Sequence, residues 1–182
     1  MRPAPIRIVP IRERHLEDIQ RYASDETVAA TCNLPYPYPE NGALQFYKHV
    51  NSPQLKGRRY TFAIEQSGEF RGVCGIGREG PYDRAAEVGY WVALPYWGKG
   101  VATAATRLLV EFGFRKMRLE RQVARCLTEN PASRKVLESN GFRYVRTGSE
   151  QYAKWPEPRE TVFLELSHAE WLLWRKHGST VI

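Results

Sequence analysis

The chain has 182 residues, 42% apolar and 26% charged, and a formal net charge of +7. That length fits about one domain with a sizeable buried core, and that composition is that of a folded globular protein. No run of about 18 apolar residues occurs, so no membrane span is expected, and the charged N-terminus lacks the apolar h-region of a secretory signal.

Cys32, Cys74 and Cys126 are odd in number, far apart and form no CxxC pair. Reduced thiols are expected, not a disulfide framework or a zinc site. His15, His49, His168 and His177 are equally scattered, and no metal is expected. The basic residues are spread along the chain, which suits a solvated surface as well as a polyanionic partner. A cytoplasmic protein is the simplest reading.

In chain order, Ile6–Ile11 reads as a first strand and His15–Ser24 as an amphipathic helix with Leu16 and Ile19 on one face. Leu34–Glu40 (LPYPYPE) is neither helix nor central strand, because its prolines remove donors and fix φ. Asn41–Val50 is helical by its apolar spacing. Arg59–Gln66 and Glu69–Gly77 are strands joined at Ser67-Gly68, a hairpin signal. A turn at Gly80-Pro81-Tyr82-Asp83 leads to a strand over Glu87–Val92, where Val88, Tyr90 and Val92 alternate with Glu87, Gly89 and Trp91.

Pro95 ends that strand. Gly98 and Gly100 then allow a sharp bend and a close approach to a ligand. Val101, Ala104, Ala105, Leu108, Leu109 and Phe112 mark one face of a helix over Val101–Lys116. A Gly-rich turn feeding a helix N-terminus is an anion site, because its first N–H groups lack helical partners. A strand near Glu120–Cys126 follows. A helix over Pro131–Asn140 has Asn130 as N-cap, Pro131 as its first residue and Gly141 as its stop. Strands at Arg143–Thr147 and Thr161–Leu166 and a helix at about His168–Lys176 complete the order.

The fold class is therefore α/β (α+β). A mostly antiparallel sheet of about six to seven strands holds a parallel central pair, joined by the Val101–Lys116 crossover, with helices on both faces. Ligands bind such sheets where a crossover helix starts at the strand ends.

Trp97-Gly98-Lys99-Gly100-Val101-Ala102 resembles the acyl-CoA pyrophosphate loop of the GNAT N-acetyltransferases, written Q/R-x-x-G-x-G/A. Trp97 replaces the usual Gln or Arg, as in the branch containing the RimJ and RimL ribosomal-protein acetyltransferases. Ala86–Trp91, the Pro-aromatic segment at Tyr36 and Tyr38, and Asn130–Phe142 resemble that branch too. The resemblance covers about residues 6–167 and implies a single domain over 1–182 with the acyl-CoA N-acyltransferase fold, its C-terminal helix at about 168–177.

It further implies acetyl-CoA as donor, a primary amine as acceptor and direct transfer through a tetrahedral intermediate, with a protein N-terminal α-amine favoured. Trp97, Gly98, Lys99, Gly100, Val101 and Ala102 would hold the pyrophosphate. Trp91 and Val92, on a bulged strand that splays from its neighbour, would bond the pantetheine arm by strand addition. Asn130 would bond the pantetheine amide, and Ser133 would both contact the cofactor and protonate the leaving thiolate. Glu87 is the candidate base, through a water; Tyr36, Tyr38, Glu87 and Trp155 would line the acceptor site. The bland alternatives are an Arg-paired structural Glu87 and an Asn130 that only caps its helix.

A small-molecule amine such as an aminoglycoside or polyamine is the alternative acceptor. A non-catalytic CoA-binding module and an RNA-associated protein are the competing classes, but no aromatic-basic RNA signature occurs, so nucleic acid is not expected as a direct ligand. A homodimer is compatible with these features.

Overall fold

A computed structural model describes residues 4–78, 80 and 83–178 of the chain. Its elements are β1 (Ile6–Pro10), α1 (Leu16–Ala23), α2 (Glu26–Ala30), α3 (Gly42–Val50), β2 (Arg59–Gln66), β3 (Glu69–Gly77) and β4 (Ala85–Val92), followed by α4 (Val101–Arg115), β5 (Arg121–Leu127), α5 (Pro131–Glu138), β6 (Arg143–Glu150), β7 (Arg159–Ser167) and α6 (His168–Gly178). The strands form one sheet in the order β1-β2-β3-β4-β5-β7-β6. Among the described residues only β4 and β5 pair in parallel. This is the expected mixed sheet. Pro81 and Tyr82 of the turn before β4 lie outside the described residues.

Strand alternation sorts the core into two clusters, one on each face of the sheet. Val88 and Val92 of β4 join Cys74 and Ile76 of β3 and Leu109 of α4, Leu137 of α5 and Trp171 of α6. Val73 of β3 and Trp91 of β4 pack instead with Ile19 of α1 and Ala43 and Phe46 of α3. The buried stripe of α4 runs through Val101, Ala105, Thr106, Leu109, Val110, Gly113 and Phe114. It is rotated from the expected face because the sheet seats Val110 and Phe114, while Ala104 and Leu108 stay half-buried.

Helix α2 has no counterpart in the sequence reading. It is only five residues long, too short to show a helical period, and it starts from an Asp25 side chain that accepts from Thr27 N at 2.8 Å and Val28 N at 3.2 Å. Such a cap is worth about 1 kcal/mol. Helix α5 starts as expected: the Asn130 side chain accepts from Ser133 N at 3.0 Å, and Pro131 follows it.

Candidate functional site

Strand β4 pairs with β5 only from Ala85–Val88 against Arg121–Ala124. Beyond those rungs β4 continues to Val92 against β3, and β5 to Leu127 against β7. The two central strands therefore part, as expected, toward their C-terminal ends. The expected bulge is absent: β4 stays in unbroken register with β3 from Glu87 to Val92. Ala93 N donates to Arg71 O at 2.8 Å, which sets the alternation of the antiparallel ladder. The N–H and C=O of Gly89 and Trp91 consequently face β3, and those of Tyr90 and Val92 face the gap. This corrects the assignment of Trp91 as a backbone donor; its indole packs beside Phe70, ring centroids 5.9 Å apart. The Val92 carbonyl accepts from Trp97 Nε1 at 2.7 Å, so Trp97 ties the end of β4 to the loop after it.

A cavity of about 960 Å³ passes through this gap and opens on both faces of the sheet. On the α4 side it is lined by Gly98, Gly100, Val101, Ala102, Thr103 and Lys135. Gly98 and Gly100 have φ of 71° and 75°, a left-handed conformation that favours glycine. Gly100 caps α4 without any side-chain bond, and the Ala104 amide is the first to reach back, to Gly100 O at 3.0 Å. The Val101, Ala102 and Thr103 amides precede that bond, at the positive end of a 15-residue helix. The residues therefore fit a pyrophosphate. Lys99 lies off the cavity lining, its Nζ 5.8 Å from the Tyr96 ring.

At the gap itself, the Tyr90 hydroxyl lies 2.9 Å from Ser133 Oγ and donates to Ser133 O at 3.2 Å. Burial pushes the Tyr90 phenol well above its ordinary range, against a smaller lowering by Ser133, so the pair holds protons at neutral pH. Cys126, also in the lining, has a thiol that burial pushes up to about 11. It is a neutral thiol, not a nucleophile. The Asn130 amide is engaged at both ends, since Nδ2 donates to Thr31 O at 3.2 Å while Oδ1 caps α5.

On the opposite face the lining includes Glu87, Gly89, Arg125, Phe46, Tyr152 and Trp155. Arg125 Nε donates to Glu87 Oε1 at 2.8 Å and Nη2 to Oε2 at 2.7 Å, while Nη1 meets Glu150 Oε2 at 3.3 Å. Both members of the Glu87–Arg125 fork are 37% exposed, and the two carboxylates raise the guanidinium further. Arg125 was legible in principle. Glu87 is level with Val123, and Arg125 lies two residues on, hence on the same face.

Trp155 lines the cavity as expected, stacked edge-on to Tyr152 at 5.5 Å. Lys154 Nζ donates to Ala29 O and to Cys32 O at 3.0 Å, fastening this loop to the C-terminal end of α2, where a cation is favoured. Burial lowers the Lys154 ammonium. Tyr36 and Tyr38 are elsewhere. Tyr36 is 47% exposed with its phenol beside Glu26, and Tyr38 packs over Gly42. Asn33 and Leu34 from the start of that segment reach the cavity instead. Among the described residues no His/Cys/Asp/Glu cluster could hold a metal, and no helix is long and apolar enough to cross a membrane.

Residues 6–143 match the acetyltransferase (GNAT) domain family. The N-acetyltransferase p20 of Bacillus licheniformis is 30% identical over 138 residues, 73% of this chain and 78% of p20. The ribosomal-protein-serine acetyltransferase of Escherichia coli is 32% identical over 87 residues, about half of either chain (48% and 49%). The solved structure of Mycobacterium smegmatis RimJ in complex with CoA-disulfide superposes with a TM-score of 0.82 at 25% identity, covering 97% of this chain and 91% of RimJ. The chain thus belongs to the GNAT acetyltransferase family, in its RimJ/RimL-like branch, as an acetyl-CoA-dependent N-acetyltransferase.

Proposed function

We propose that the chain acetylates the α-amine of a peptide or protein N-terminus by direct transfer from acetyl-CoA, in the cytoplasm. The observation that carries this is the cavity through the β4–β5 gap, with an uncapped αL turn on one side and a sheet-floored groove on the other. The Gly98–Ala102 amides take the pyrophosphate. The Tyr90 backbone groups and the Val92 N–H that face the gap take the pantetheine arm, and a donor there polarises the thioester carbonyl. The RimJ and RimL structures that share this fold were solved with CoA-disulfide and with CoA.

The amine attacks the carbonyl carbon, the new C–N bond forms, and the C–S bond breaks. Ser133, backed by Tyr90, gives the thiolate its proton. The amine loses its proton to water held by Glu87. Both Glu87 oxygens already accept from Arg125, so the water that takes the proton shares the carboxylate with that guanidinium. A lysine-like amine is neutral in about one molecule in 2,500 at pH 7, an α-amine in about one in ten. An α-amine therefore arrives in its neutral, attacking form about 250 times as often as a lysine-like amine, before any contact is made.

Incubation with acetyl-CoA and a panel of N-terminal peptides, N-terminally blocked lysine peptides and polyamines tests the reading. The expected product is α-N-acetyl peptide by mass spectrometry. Faster turnover of polyamine or blocked peptide overturns it.

A further inference from the structure

We propose that Arg59 is a specificity residue, which binds an acidic side chain about four residues beyond the reacting amine of an extended peptide acceptor. This rests on the peptide α-amine reading above. Two arginines line the cavity, and they differ in one respect. Arg125 is bonded by two carboxylates, whereas Arg59 has no carboxylate partner among the described residues. Arg59 is exposed, and its guanidinium lies flat over the register partner Gly77, where a Cβ would come within 2.8 Å of Nε.

The register places the pieces in one row. Arg59 on β2, Gly77 on β3 and Glu87 on β4 are level across three adjacent strands and share a face. Glu87 turns away from Arg59, toward Arg125. The next row toward the gap is Thr61, Gly75 and Gly89, two of the three without side chains, and a Cβ built on Gly89 meets nothing within 4 Å. A main chain can therefore lie on the sheet between the gap and Arg59. A rise of about 3.3 Å per residue along β4 and a spacing of about 4.8 Å between strands put the guanidinium about 11 Å from Tyr90 and about 17 Å from Val92, the two residues whose backbone faces the gap, a span of about three to five extended residues. Guanidinium and carboxylate match as a two-pronged pair.

The test uses the full chain with lysine-free hexapeptides in which Glu, Gln or Lys is scanned through positions 2–5. The expected result is kcat/KM about tenfold higher for Glu than for Gln at one position, the third to fifth. Arg59→Gln removes that preference and leaves the Gln peptide within about twofold. Arg59→Glu moves the preference to Lys, and acetyl-CoA affinity by calorimetry is unchanged in both. Lys56→Gln, which removes an equal charge outside the cavity, keeps the preference and so separates contact from the general pull of a basic protein. Equal use of the three peptides, or a preference that survives Arg59→Gln, overturns the role of Arg59 while leaving peptide acetylation standing. Acetyl-CoA binding with no peptide turnover overturns both.

Discussion

Burial keeps the proton on Tyr90 at any pH an assay would use, and Ser133 Oγ sits 2.9 Å from it. A proton donor that does not titrate gives a rate without an alkaline limb from that group. Ser133→Ala is expected to lower kcat about 100-fold, the usual scale for a lost general acid, with KM for acetyl-CoA nearly unchanged. Tyr90→Phe, which keeps the ring and removes the hydroxyl, should cost about tenfold. Wild-type kcat in both variants would hand the proton to water instead. Cys126 supplies a second check. A thiol pushed up to about 11 should react with iodoacetamide about tenfold faster for each pH unit until that pH, because only the thiolate attacks. Cys126→Ala should keep kcat within about threefold, and isolation of an acetyl-cysteine enzyme would refute direct transfer. Ser133 was visible in the sequence by its motif. Tyr90 was read only as an alternating strand residue, because nothing in one sequence announces that β4 and α5 will set two hydroxyls together.

Between elements, Gly89 separates the demands of folding from those of binding. It lies inside β4, opposite Gly75, with open space where a side chain would be. Glycine weakens a strand by chain entropy, and a β-branched residue suits a pleated surface. Gly89→Val is therefore expected to hold or raise the melting temperature while raising KM for peptide at least tenfold and leaving CoA affinity by calorimetry intact. A drop in CoA affinity instead would put the cofactor on the groove side. The long elements were legible because their apolar periods extend over many residues, as in α4, or because a turn announced them, as at Ser67-Gly68. Helix α2, with its anchor to Lys154, was not: five residues carry no period, and the anchor joins positions 125 residues apart. The aromatic loop misled for a related reason. Proline spacing at Tyr36 and Tyr38 gives stiffness, but only packing decides where a stiff loop points, and here it leaves Tyr36 at the surface.

At the level of the whole molecule, the charge of +7 draws anions toward the surface and suits both a phosphate-rich donor and an acidic acceptor. The site uses that surplus sparingly: Arg125 is neutralised locally by Glu87 and Glu150, and Lys99 stays off the cavity lining. Strand order and the crossover could be inferred from element spacing. An arginine partner for Glu87 was legible too, but the reach of Glu150 from β6 to Arg125 and the two-sided cavity were not, since they depend on side chains from strands that are not neighbours and on where β4 and β5 part.

The parted strands also make the sheet mechanically uneven. Seven strands are joined by six ladders, and the β4–β5 ladder has the fewest rungs, four. Two stiff slabs, β1–β4 and β5–β7, thus share a short hinge line, and a ligand bonded to one slab while wedged against the other acts as a crossbeam. CoA at about 100 times its Kd should add about 2.7 kcal/mol, a rise of roughly 5–10 °C in Tm for a chain this long. Hydrogen exchange should slow most at Tyr90, Val92 and Leu127, whose amides face the gap, and hardly at all in the β2–β3 hairpin. Equal slowing everywhere would mean that the sheet moves as one slab and that the open seam carries no strain when the donor leaves.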